Sequence, residues 1–168
     1  AAKKTAAAPK LNGIFETPEE AIAAAKAAQK EIQPMPLEFR EKIIANIRKK
    51  TLENAKMLSE LAVEETGMGN VGHKIIKHQL VAEKTPGTED LTTIAWSGDR
   101  GLTLTEMGPW GVIGAVCPST NPTCTVICNS IGMLAAGNAV VFMPHPSAKN
   151  CSNLAIDMVN RASIEVGG

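Results

Sequence analysis

Tyrosine is absent from this chain, and its aromatic residues amount to three phenylalanines and two tryptophans. So few flat side chains leave no stacking platform for unpaired bases. There is no surplus of one charge either: 17 lysines and arginines balance 17 aspartates and glutamates, for a formal net charge of +0. Nucleic acid is therefore not an expected partner. Uninterrupted apolar runs are missing. Asn129, Gly137 and Asn138 break the most apolar window, residues 126–142, and an unsatisfied amide in lipid is too costly for a membrane span. Lys3 and Lys4 are followed by no apolar stretch of the secretory kind. The four cysteines, Cys117, Cys124, Cys128 and Cys151, have neither Cys-x-x-Cys nor Cys/His spacing, so no metal site is expected. Cys124 and Cys128 share a helical face at i,i+4, which suits packing better than a disulfide, and a reduced, cytoplasmic setting follows. No Gly-x-Gly-x-x-Gly loop follows a strand. Gly111-Val112-Ile113-Gly114 lies at a strand's start, where its glycines have a packing explanation.

What the chain does have is concentrated between Met107 and Lys149. Val112 to Cys117 and Ala139 to Met143 are apolar, β-branched runs bounded by Gly and Pro, as expected of strands buried on both faces. Thr123 to Ala136 between them is of helix length, and Gly137 supplies a left-handed stop. Strand, helix, strand at this spacing predicts a βαβ unit with parallel strands and a right-handed crossover. Ligands of such sheets bind beyond the carboxyl ends of the strands. Two loops are thereby singled out, Pro118-Ser119-Thr120-Asn121-Pro122 and Pro144-His145-Pro146.

Ahead of this unit, residues 1–12 are Ala-, Lys- and Pro-rich without apolar period and predict a flexible tail. Thr17-Pro18-Glu19-Glu20 is a capping box opening a helix to about Ile32, with Ile22 and an alanine face inward against a neighbouring helix. Pro34 and Pro36 separate it from a longer helix, Leu37 to about Thr66. Its inward stripe is Ile43, Ile44, Ile47, Leu52, Ala55, Leu58, Leu61 and Ala62. Gly67 and Gly69 end that helix, and Asn70 caps a third through about Lys84. Glu64 and Glu65 are expected on a solvated face, and His73 and His78, on different faces, as surface or packing histidines. Leu91 to Ser97 and Leu102 to Met107 predict a hairpin about Gly98-Asp99-Arg100-Gly101. A hairpin with so little core of its own is expected to pack on something else, another subunit included. Ser147 should cap a last helix to about Val166, with Leu154, Ile156, Met158, Val159 and Ile164 mostly inward. Two parallel strands alone make a poor sheet, so the pattern resembles half of a doubly wound domain.

Asn121 stands before a helix start with Pro122 as its first residue. Free N–H groups and the positive dipole end there hold a developing negative charge, and an Asn side-chain amide adds a donor worth roughly 3 kcal/mol of barrier. An Asn in this place equally serves as a simple cap. His145 has two readings as well, contact with a phosphate or nucleotide, or a hydrogen bond that fixes its loop. Among the cysteines, Cys124 and Cys128 lie in an apolar helix where burial makes a thiol inert. Cys117 ends a strand. Cys151, near a helix N-terminus and Lys149, has the most favourable electrostatics, yet packing remains the preferred role.

These residues, taken in order, resemble the N-terminal part of the CoA-acylating aldehyde dehydrogenases, and within them the propionaldehyde dehydrogenases of bacterial microcompartments. The matching runs are Gly13-Ile14-Phe15, Glu65-Thr66-Gly67-Met68-Gly69-Asn70, Thr85-Pro86-Gly87 with Glu89 to Thr93, Gly111 to Gly114, Pro118 to Pro122, Ala135-Ala136-Gly137-Asn138 and Pro144-His145-Pro146 with Ala148-Lys149. The resemblance implies an α/β, aldehyde-dehydrogenase-like fold. Residues 13–90 would form the helical region of the cofactor domain and residues 91–107 an oligomerisation hairpin. Residues 108–168 would form the first βαβα half of a Rossmann-type nucleotide-binding domain, incomplete as it stands. The reaction implied is oxidation of a short, propanal-like aldehyde, with hydride passing to NAD and an enzyme-bound thioester handed to coenzyme A. Ser119, Thr120, Asn121, Pro144, His145 and Pro146 would be the cofactor-binding residues, with Asn121 the oxyanion candidate. A homo-oligomer, cytoplasmic or inside a microcompartment and in contact with its shell, is implied too.

Hydrolytic relatives carry Pro-Trp-Asn-x-Pro and Lys-Pro-x-Glu loops. Here Thr120 takes the ungapped place of that asparagine, Met143 that of the lysine and Pro146 that of the glutamate, which suits the acylating branch. The family's nucleophilic cysteine falls downstream of Gly168, and none of the four cysteines matches it. The 168-residue chain is therefore expected to be inactive alone. The alternative is a non-catalytic nucleotide-binding or assembly fragment.

Overall fold

Helix boundaries follow the capping chemistry. The computed structural model describes residues 11–168, so residues 1–10 of the tail expected over residues 1–12 lie outside the described residues. Asn12 is anchored, its N–H donating to the Asp157 carboxylate. Helix α1 spans Pro18–Ile32 with the capping box of Thr17 and Glu20 formed in both directions. Helix α2 spans Leu37–Thr66 and stops at Gly67, whose φ of 67° is left-handed. Helix α3 spans Val71–Lys84, capped by the Asn70 side chain at the His73 N–H, 3.2 Å.

After a 3-10 turn at Thr88–Asp90, strands β1 (Ile94–Gly98) and β2 (Gly101–Thr105) form an antiparallel hairpin about Asp99 and Arg100. The hairpin is shorter than predicted. Leu91 is spent on the end of the 3-10 turn, where its N–H bonds the Thr88 carbonyl, and every residue of both strands is exposed.

Strand β3 (Val112–Val116), helix α4 (Pro122–Ala135) and strand β4 (Ala139–Met143) form the βαβ unit, with β3 and β4 parallel and Val112 level with Ala139 through Val116 level with Met143. Gly137, at φ 81°, turns the chain between α4 and β4. Asn138 locks the entrance to the pair. Its Oδ1 accepts from the N–H groups of Trp110 (2.7 Å) and Gly111 (3.0 Å), while its Nδ2 donates to the Met133 carbonyl at 3.1 Å. A second 3-10 turn, Pro146–Ala148, leads into α5, Lys149–Ile164.

The core lies where α2 meets α4 and α5. Ile43, Ile44, Ile47 and Leu58 pack with Val126, Ile127, Ile131, Ala155 and Ala162. Ile47, Leu58, Ile127 and Ile131 are wholly removed from solvent, each worth about 1.5–3 kcal/mol.

Several expected inward residues are not inward. Ile22, Leu52 and Ile164 are exposed, because apolar spacing marks a face without supplying the neighbour that covers it. Helix α1 buries no residue, and its chief contacts are with β4 and β3, so the alanine face meets mainly the sheet where a neighbouring helix was expected. The strands are only partly covered. Ala115 alone of β3 is buried, and Val116 is 74% exposed, since the described residues supply only two strands to this sheet and its edges stay open. Among the described residues no helix is long and apolar enough to cross a membrane, and no cluster of three or more His, Cys, Asp or Glu side chains is placed to hold a metal.

Candidate functional site

Both singled-out loops leave the same edge of the sheet. The Cys117 N–H donates to the Met143 carbonyl at 3.0 Å, carrying the ladder one step beyond the paired strands. Residues 118–121 and 144–146 thus begin side by side at the carboxyl ends of β3 and β4. Ser119 and Pro144 are half-buried, and Thr120, His145 and Pro146 are exposed. Asn121, half-buried, sits at the N-terminus of α4.

The first loop is held from α3. The ammonium of Lys74, itself 94% removed from solvent, donates to the Thr120 carbonyl at 2.9 Å. One turn further on, the Lys77 ammonium donates to Asn121 Oδ1 at 3.1 Å. Asn121 makes no side-chain cap with α4, so the simple capping role is not the one it plays. Its backbone carbonyl accepts the Thr125 N–H. Because Oδ1 is taken by a group that can only donate, Nδ2 is left as a donor with no acceptor among the described residues.

Below this loop lies a buried histidine. His78 Nδ1 lies 2.8 Å from the Lys74 carbonyl and 3.0 Å from Ser59 Oγ, and Nε2 lies 2.9 Å from Thr123 Oγ1. A carbonyl can only accept, so the ring proton sits on Nδ1 and Nε2 accepts from the Thr123 hydroxyl. Burial, helped by the nearby Lys74 charge, pushes the imidazole below its ordinary value of 6.5 and keeps it neutral. His78 thereby joins α2, α3 and α4, a packing role with a full set of partners.

The second loop fixes itself. His145 Nδ1 accepts from the Ser147 N–H at 3.2 Å and faces Ser147 Oγ at 2.8 Å. This is the loop-fixing bond, and it leaves the neutral ring's proton on the exposed Nε2. Ser147 does not cap α5, whose N-cap residue is Ala148 with no side-chain bond. The cap comes instead from Glu65, whose carboxylate accepts the N–H groups of Asn150 (2.8 Å) and Cys151 (2.7 Å). The solvated face expected of Glu65 is thus corrected, since free amide groups at a helix start attract an anion. Burial opposes the charged form, but the donors from Cys151 and Asn150 outweigh it and hold the carboxyl below its ordinary range.

Three of the four cysteines are held as thiols. Burial pushes Cys117 and Cys124 up. Cys151 is pushed up to about 12, first by burial and then by the Glu65 carboxylate beside it, which cancels the helix-terminus advantage its position suggests. Cys128 is half-buried.

Lys74, Lys77 and the Glu65 cap escape a reading of the sequence. One signal was present: α3 offers neither lysine an acidic partner three or four residues away.

A parallel βαβ unit with both loops at one rim, flanked by an N-terminal helical region and a protruding hairpin, is an α/β architecture of the aldehyde dehydrogenase type. The chain belongs to the aldehyde dehydrogenase family, whose model matches residues 12–167. It is 57% identical over 156 residues to an acetaldehyde dehydrogenase (acetylating) of Bilophila wadsworthia, covering 93% of this chain and 32% of that protein. Its identity to a propanal dehydrogenase (CoA-propanoylating) of Salmonella typhimurium is 45% over 165 residues, covering 98% of this chain and 36% of the relative. Among solved structures, a propionaldehyde dehydrogenase from the Clostridium phytofermentans fucose utilisation bacterial microcompartment superposes with a TM-score of 0.91 at 65% identity. That match covers 95% of this chain and 36% of the other. The chain thus spans about a third of the length of these relatives.

Proposed function

We propose that this chain is the N-terminal, cofactor-side part of a CoA-acylating aldehyde dehydrogenase. The overall reaction is aldehyde plus CoA plus NAD⁺ giving acyl-CoA, NADH and a proton, with a short aliphatic aldehyde such as propanal as substrate. The carrying observation is the shared rim, where the Ser119–Asn121 and Pro144–Pro146 loops start from hydrogen-bonded neighbours at the ends of two parallel strands. In this reading Asn121 Nδ2 donates to the oxygen of the tetrahedral intermediate. Ser119, Thr120, Pro144, His145 and Pro146 line the nucleotide side, with His145 Nε2 as an outward donor. NAD, when bound, supplies the hydride acceptor, and coenzyme A the thiol that carries the acyl group away. The nucleophilic thiolate is not one of the four cysteines here: none matches the family's cysteine, and Cys117, Cys124 and Cys151 are buried. The relatives' names support the substrate class: one is a CoA-propanoylating propanal dehydrogenase, and a Rhodopseudomonas palustris propionaldehyde dehydrogenase, 51% identical, holds propionyl-CoA.

Calorimetry of the 168-residue chain with NAD and with CoA tests the reading. Saturable heat for either nucleotide, weakened by His145→Ala, is expected. A folded sample that takes up neither overturns it.

The hairpin supports a homo-oligomer, because Ile94, Trp96, Leu102 and Leu104 are all exposed on it. Sedimentation should detect association that Leu104→Lys abolishes. The same exposed hairpin favours the second reading, a non-catalytic assembly fragment, which would associate but bind no nucleotide. A place inside a microcompartment is supported by the origin of the Clostridium relative, while shell contact and a cytoplasmic setting rest on the family resemblance.

A further inference from the structure

We infer that Lys77, with Lys74 one turn before it, is a positioning residue that holds Asn121 as an outward hydrogen-bond donor. The inference rests on the reading of Asn121 as the oxyanion donor. Asparagine at a helix start ordinarily turns its Oδ1 back onto the first amides of that helix, and Asn70 does so in this molecule at the head of α3. Asn121 has the same residue type in the same place and does not. Its Oδ1 is bonded to Lys77 instead, and its backbone, at φ −135° and ψ 58°, departs from the extended conformation of Thr17 and Asn70, both of which cap.

The bonding around this corner is one-sided. The Thr120 carbonyl is occupied by Lys74, the Asn121 carbonyl by the Thr125 N–H and Asn121 Oδ1 by Lys77. The amide groups of Thr123 and Cys124 have no acceptor among the described residues. Asn121 Nδ2 likewise donates to none of them. Acceptors that would repel a developing oxyanion are thus engaged, while Asn121 Nδ2 keeps its donors without an acceptor among the described residues. A cation on Oδ1 also polarises the carboxamide and makes its N–H groups better donors. Lys77 itself is exposed and makes no salt bridge among the described residues, so this bond is the one task the structure gives its ammonium.

The test compares wild type, Lys77→Arg and Lys77→Met in the 168-residue chain by ¹H–¹⁵N spectroscopy of the Asn121 side-chain NH₂. Lys77→Met should move those two resonances toward the values of a free asparagine. Lys77→Arg, which keeps a cationic donor, should hold them near wild type. The melting temperature should stay within about 2 °C of wild type, as for a change at an exposed side chain. Unchanged Asn121 resonances in Lys77→Met overturn the inference, and so does a melting temperature lowered by several degrees, which would make Lys77 a structural residue. Calorimetry with NAD and CoA is read separately. Loss of nucleotide binding with the Lys77 effect intact would remove the proposed function and leave the positioning role standing.

Discussion

Glu65, at the end of one helix, closes the start of another. Its two carboxylate oxygens take the N–H groups of Asn150 and Cys151, 85 and 86 residues further along the chain, at 2.8 and 2.7 Å. The bond ties α2 to the head of α5 and so to the turn that carries His145. Replacing Glu65 by Ala should cost about 1–2 kcal/mol and lower the melting temperature by about 2–8 °C. Glu65→Gln, which keeps one acceptor oxygen, should fall between the two. Thermal unfolding of the three proteins at pH 7 checks this.

The same carboxylate gives a pH signature. Its pKa lies below the ordinary 4.5 in the folded chain, so its contribution is complete above that value and is lost as pH falls through the folded pKa. The stability gap between wild type and Glu65→Gln should therefore be constant from pH 6 to 8 and should close below about 4.5. Urea unfolding across this range reads the gap directly.

His78 predicts a second acid-sensitive term. Burial and Lys74 hold its pKa below 6.5 in the folded state, so unfolding takes up a proton once pH drops under the ordinary value, and stability declines as pH falls from there. Thr123→Val strips the hydroxyl from Nε2 and leaves a buried acceptor unpaired, at a cost of about 1–3 kcal/mol. Denaturant midpoints for the wild type and this variant, at pH 5.5 and 7.5, test both statements.

Thiol chemistry should be nearly silent in the native chain. Cys117, Cys124 and Cys151 are buried with raised pKa values, so an alkylating reagent at pH 7.5 should modify Cys128 slowly and the other three only after unfolding. The corresponding expectation for turnover is that the 168-residue chain makes no NADH from propanal, CoA and NAD. Absorbance at the NADH band, with alkylation mapped by mass spectrometry, decides both.

Gly137 sits at φ 81°, and a Cβ there would meet Arg40 Nη1 at 3.3 Å and Pro109 Cβ at 3.5 Å. Gly137→Ala should cost about 1–2 kcal/mol from the left-handed backbone alone, seen as a lowered melting temperature with the two rim loops otherwise intact.

What the sequence disclosed was chiefly local. Thr17, Pro18 and Glu20 cap α1 within three residues of one another, and Gly67 and Gly137 stop their helices through a single φ. The parallel pairing of β3 and β4 was legible because a helix-length connection leaves little choice of direction. What stayed hidden depends on partners far apart in the chain. Lys77 meets Asn121 across 44 positions, His78 meets Thr123 across 45 and Glu65 meets Asn150 across 85, and no spacing rule spans such distances. Exposure was misread for Ile22, Leu52 and Ile164 because periodicity marks a side of a helix and says nothing of what stands opposite.

The Asn138 carboxamide serves as the common datum for both rim loops. It clamps Trp110 and Gly111 on one strand's approach and Met133 on the other's, and from there each strand advances five residues before releasing its loop. A disturbance at that amide would be inherited equally by Asn121 and His145, moving the two together and preserving their spacing while their height above the sheet changes.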